Sequence, residues 1–100
     1  MNINKIKNGE ELTIAIEGRL DTTTAPELDD SLKAEYDGVT KLAFDFTKLE
    51  YISSAGLRVL LSAQKVMNKQ GSMVVKNVSE EVKEIFAQFG IDRNRFLQVL

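Results

Sequence analysis

Two adjacent hydroxyls, Ser53 and Ser54, stand at the head of an apolar, helix-forming run in YISSAGLRVLL (Tyr51 to Leu61). Serine at that position has two chemistries open to it. The oxygen of either residue can accept from an unpaired N–H of the first helical turn, a cap worth about 1 kcal/mol. Alternatively, the Ser54 hydroxyl can take a phosphate, adding about −1.5 to −2 charges where the helix dipole is positive and Arg58 lies four residues on. The chain has no histidine and no cysteine, which excludes a Ser-His-Asp hydrolase, a thiolate nucleophile and a zinc site built on those ligands. It also lacks a Gly-x-Ser-x-Gly elbow and a Gly-x-x-x-x-Gly-Lys phosphate loop. The sequence therefore points to a binding module, not an enzyme, with no cofactor.

On a helical wheel, Gly56, Val59, Leu60, Ala63, Val66 and Met67 form one stripe predicted to face a core. Leu57 and Leu61 fall outside it, beside Gln64 and Asn68, with Arg58, Lys65 and Lys69 further round. Ser54 is aligned with Leu57, Arg58 and Leu61, its i+3, i+4 and i+7 neighbours. The expected surface is thus one exposed patch of a serine, two leucines and an arginine, suited to a protein partner. A phosphate buried in such an interface would cost several kcal/mol of desolvation, and each 1.4 kcal/mol is tenfold in affinity.

The helix needs a scaffold that holds its start in place. ELTIAIEG (Glu11 to Gly18) and KLAFDF (Lys41 to Phe46) alternate apolar and polar residues, the period of half-buried strands. MVVKNV from Met73 is a shorter strand candidate, and NINKIK and FLQVL at the two ends suit sheet edges. Three helices are predicted between and after them. The first starts near Thr24, with Glu27 at capping-box spacing and Pro26 in the first turn, and runs to about Tyr36. The second follows the serines and stops at Gly71, and the third opens at Ser79 and buries Val82, Ile85, Phe86 and Phe89 before Gly90. The order predicts an α/β fold: a mixed sheet of four to five strands, with three to four helices packed mainly on one face. The serines follow KLAFDF by the short loop TKLEYI, at a C-terminal strand end where such folds carry function.

A chain of 100 residues suits one domain spanning 1–100. Its 13 basic and 15 acidic residues give a net charge of −2 without long runs of one sign, so no nucleic-acid footprint is present. No segment has the uninterrupted apolar length of a membrane span, and the N-terminus has no apolar run of signal-peptide type. A cytoplasmic protein without membrane insertion is expected.

GRLD (Gly18 to Asp21), FDFTKLEYISSAGLRVLL (Phe44 to Leu61) and KQGSMVVKNVSEEVKEIF (Lys69 to Phe86), in that order, resemble a STAS domain of the bacterial anti-sigma factor antagonist type. The resemblance implies binding to an anti-sigma factor that is also a serine kinase, release of a sigma factor, inactivation by phosphorylation, and resetting by a PP2C-type phosphatase. Aligned on Gly56-Leu57, the family's phosphorylated serine falls on Ser54. The position before it, usually aspartate, is Ser53, and the one after, usually serine or threonine, is Ala55. Asp21 matches the family's aspartate before the first helix, and a plain turn or cap carboxylate is the other reading of it. By this resemblance Asp21, Ser53, Gly56, Leu57, Arg58 and Leu61 lie on or near the partner surface. The alternative within the same fold is a STAS subunit of a transporter or signalling scaffold that binds proteins without phospho-switching.

Overall fold

The computed structural model describes residues 1–90. The order is β1 (Asn2–Asn8), β2 (Glu11–Leu20), α1 (Ala25–Lys33), β3 (Lys41–Asp45), β4 (Leu49–Ile52), α2 (Ser54–Gln70), β5 (Ser72–Lys76) and α3 (Glu80–Gln88). The expected strand FLQVL lies outside the described residues. The five strands form one mixed sheet ordered β1-β2-β3-β5, with β4 also paired to β2. Only β1 is antiparallel, forming a hairpin with β2. The β2–β3, β2–β4 and β3–β5 pairs are parallel, as crossover helices require.

Strand β2 organises the sheet because its ten residues serve two partners in succession. Glu11 to Ala15 pair with β3 and Gly18 to Leu20 pair with β4, with a register break at Gly18/Arg19. Gly18 supplies the left-handed φ of +97° at that break, and its N–H donates to the Lys48 carbonyl at 3.0 Å. β4 corrects the sequence reading, which had TKLEYI as a loop. Its burial runs buried, exposed, half-buried, buried from Leu49 to Ile52, so the four residues lack the alternation that marks a strand.

One sheet face is closed by the helices. Leu12, Ile14 and Ile16 of β2, Leu42 and Phe44 of β3, and Met73 and Val75 of β5 point into one core with Leu28 and Leu32 of α1, Leu60, Ala63 and Met67 of α2, and Val82 and Phe86 of α3. The intervening residues of the central strands are half-buried on the other face. Two helix readings are corrected. Helix α1 ends at Lys33 instead of about Tyr36. Phe89, expected in the core, is 52% exposed, because α3 ends at Gln88 and Phe89 is its C-terminal cap residue, off the helical spiral. Ile85 is half-buried against the core.

Candidate functional site

The site is built where β2 and β4 end side by side. Leu20 and Ile52 are register partners, and the Ser53 N–H continues the ladder by donating to the Leu20 carbonyl at 2.9 Å. Asp21 and Ser53 are thus the first residues to leave two adjacent strands, one entering the loop before α1 and the other opening α2. The expected position at C-terminal strand ends holds, reached through β4.

Ser53 is the N-cap of α2. Its backbone is extended and its Oγ accepts from the Gly56 N–H at 3.3 Å, while its carbonyl accepts from the Leu57 N–H at 3.0 Å. Ser54 is the first helical residue, exposed, and its hydroxyl makes no hydrogen bond among the described residues. Sequence left open which serine caps the helix, and the geometry gives the task to Ser53.

Gly56 lets the first turn of α2 sit directly on the strand ends. A Cβ there would lie 2.8 Å from Leu20 Cγ, 2.9 Å from Ile52 Cγ1 and 2.9 Å from the Leu20 carbonyl oxygen. No larger residue fits without displacing backbone.

The expected patch of serine, two leucines and arginine is not what this packing produces. Leu57 is a core residue, 3% exposed, and Leu61 is half-buried against the core. Gln64, expected beside them on the outer face, is buried too, with its amide donating to Asn68 Oδ1 at 2.9 Å. The buried arc of α2 runs from Val59 through Ala63, Gly56, Met67, Leu60 and Gln64 to Leu57, about 160° at 100° per residue. It is this wide because α2 packs against α1 as well as β4 and β5. The exposed stripe carrying Ser54 therefore continues through Arg58, Ser62, Lys65 and Lys69. Ser62 and Lys65 have the spacing of the Ser-x-x-Lys nucleophile motif, but both are exposed and neither side chain makes a hydrogen bond or ion pair among the described residues, so nothing activates that hydroxyl.

Asp21 anchors the neighbouring loop. Its Oδ1 accepts from the N–H groups of Thr23 at 3.0 Å and Thr24 at 3.1 Å, and its carbonyl accepts from the Ala25 N–H at 2.8 Å. The Thr24 backbone bond, aided by the Thr23 backbone bond, the Thr24 hydroxyl and Arg19, holds the Asp21 carboxyl below its usual range, with burial as the opposing effect. Thr24 does not form the expected capping box. Its hydroxyl donates to the Arg19 carbonyl at 2.8 Å and accepts from the Asp21 N–H at 2.8 Å, so it shapes the loop and leaves α1 without a side-chain cap. On the outer side of the same strand ends, the Arg19 guanidinium lies 4.3 Å from the centre of the Tyr51 ring, its register partner.

The family model described as STAS domain matches residues 2–98. The chain belongs to the STAS domain family. BtrV of Bordetella bronchiseptica, named as a candidate anti-sigma factor antagonist, is 36% identical over 77 residues, covering 75% of this chain and 66% of that protein. The anti-sigma-B factor antagonist of Bacillus subtilis is 27% identical over 92 residues, covering 91% and 84%. The Bacillus cell fate determinant SpoIIAA, solved in its phosphorylated form, shares the fold with a TM-score of 0.77 at 16% identity, covering 99% of this chain and 89% of that one.

Within this STAS fold a second polar cluster, not anticipated from sequence, lies at the ends of β3 and β5. Asp45 Oδ1 accepts from the Thr47 hydroxyl at 2.6 Å, the Thr47 N–H at 3.0 Å and Asn77 Nδ2 at 3.0 Å. Asn77 takes a left-handed φ of +60° there. The Thr47 and Asn77 side chains lower the Asp45 carboxyl below its usual range. One strand-end aspartate and two loop residues dispersed along the chain give no periodic signal, which is why only the folded chain reveals them. No group of three or more acidic residues able to hold a metal ion occurs among the described residues. No helix among them is long and apolar enough to cross a membrane.

Proposed function

We propose that this STAS domain is an anti-sigma factor antagonist acting in the cytoplasm as a binding module without catalytic activity of its own. It binds an anti-sigma factor with serine kinase activity and so frees a sigma factor. Phosphorylation of Ser54 ends the interaction, and a PP2C-type phosphatase restores it. The observation that carries this reading is the division of labour between the serines. Ser53 holds the cap, so the exposed Ser54 hydroxyl is free to be modified without loss of the helix start.

The two relatives named as anti-sigma factor antagonists and the phosphorylated state of SpoIIAA support it. So does the electrostatics of the position. A phosphate on Ser54 would sit in the first turn of α2, favoured by about 0.3–1 kcal/mol from the helix dipole, with Arg58 one turn on. The free protein tolerates the added charge, whereas an interface closing over it must desolvate it. Ser53 replaces the family's usual aspartate with another good N-cap, so the helix start is kept. Asp21, Gly56 and Arg58 border or support that surface, and Leu57 and Leu61 contribute by fixing the helix beneath it.

The test is binding of the purified chain to its cognate histidine-kinase-like anti-sigma factor by calorimetry, before and after phosphorylation. Binding that weakens at least about a hundredfold, roughly 2.7 kcal/mol, supports the reading. Equal binding by both forms refutes the switch.

A further inference from the structure

We infer that the solvent face of α2 is a cationic docking ridge that receives an acidic surface of the partner along most of the helix. The inference rests on the reading of the chain as an antagonist that binds an anti-sigma factor, and it names the chemistry of the face that binds. Arg58, Lys65 and Lys69 stand at i, i+7 and i+11, all exposed. With Ser54 and Ser62 they occupy an arc of about 80° and a length of about 22 Å at 1.5 Å per residue. The 17 residues of α2 contain no aspartate or glutamate, although the chain is net acidic at −2.

None of these three cations makes an ion pair among the described residues, which they share with Arg19, Lys48 and Lys76, whereas Lys5, Lys7, Lys33, Lys41 and Lys83 are all paired. A helix face shaped only for solubility interleaves both signs and gains from i,i+3 and i,i+4 pairs. Helix α1 does this with Asp29–Lys33 at 2.9 Å and α3 with Glu80–Lys83 at 3.5 Å. Helix stability explains Lys69 in the last turn but not Arg58, which stands near the positive end of the dipole. One sign over the full ridge fits an acidic partner surface and faster encounter with it. A phosphate on Ser54 lies at the head of this ridge, where its charge of about −1.5 to −2 outweighs that of Arg58 and turns that end repulsive to an acidic face.

The experiment measures association of the full chain with the purified anti-sigma factor by surface plasmon resonance at low and high salt. It compares wild type, Lys65→Gln/Lys69→Gln, and Lys7→Gln/Lys48→Gln, which removes the same charge from exposed lysines off α2. The ridge predicts that wild-type association slows with salt, and that the α2 pair loses about tenfold or more in association rate together with most of that salt dependence. The control pair should keep both, and all three proteins should melt alike. Wild-type behaviour of the α2 pair, or equal losses in the control pair, overturns the ridge while leaving the antagonist reading intact. Failure of wild type to bind at all overturns the antagonist reading and the ridge with it.

Discussion

Gly56 and Leu20 approach so closely that a single methyl group on Gly56 would lie 2.8 Å from Leu20 Cγ and 2.9 Å from the Leu20 carbonyl. The contact fixes how α2 rises from the ends of β2 and β4, and so where Ser54 points. Gly56→Ala should therefore destabilise the protein by about 1–3 kcal/mol through overpacking, although alanine is the better helix former by about 1 kcal/mol. Urea unfolding checks this, and a more stable variant would show that the first turn is free to shift.

Leu57 and Leu61, one turn apart, should respond differently to truncation. Leu57→Ala empties a fully packed position and should cost about 2–5 kcal/mol. Leu61→Ala removes a half-buried side chain and should cost roughly half as much or less. Denaturant midpoints of the two variants decide it, and equal losses would place Leu61 in the core.

The serines should separate in stability. Ser53→Ala removes the cap on the Gly56 N–H and should cost about 1 kcal/mol. Ser54→Ala exchanges an unbonded hydroxyl for a better helix former and should be neutral or slightly stabilising. Thermal melts of both variants test the assignment, and the reverse ranking would hand the cap to Ser54.

Asp45 should contribute to acid sensitivity. Its folded carboxyl titrates below the ordinary value of 3.8, chiefly through the Thr47 and Asn77 side chains. Its contribution is thus fully present above that value and is lost as pH falls from there through the lower folded pKa. The stability gap between wild type and Asp45→Asn should be largest near neutral pH and narrow below about pH 4. Chemical denaturation across that range measures it, and a gap that widens on acidification would contradict the assignment.

The strands with clean two-residue alternation were legible in the sequence because one face is buried and the other half-open, as Leu12, Ile14 and Ile16 show. β4 was not, because four residues beside a register break carry no period. The position of the serines followed from chain order and turn chemistry. Of the exposed partners expected for Ser54, Arg58 followed too, but the two leucines did not, because a wheel assumes one flat core surface. Helix α2 instead packs on a second helix as well as on strands, which draws Leu57 and Gln64 inward and leaves Arg58, Lys65 and Lys69 outside. Phe89 was misplaced for a related reason, since helical spacing stops predicting burial where the helix stops.

The most direct test of the central claim is site mapping after incubation of the purified chain with its cognate anti-sigma kinase and ATP. Wild type, Ser53→Ala and Ser54→Ala are compared by intact mass and peptide fragmentation. The division of labour between the two serines predicts one phosphate on wild type and on Ser53→Ala, located on Ser54, and none on Ser54→Ala. Phosphate on Ser54→Ala at the wild-type level, or none on any of the three proteins, would contradict it.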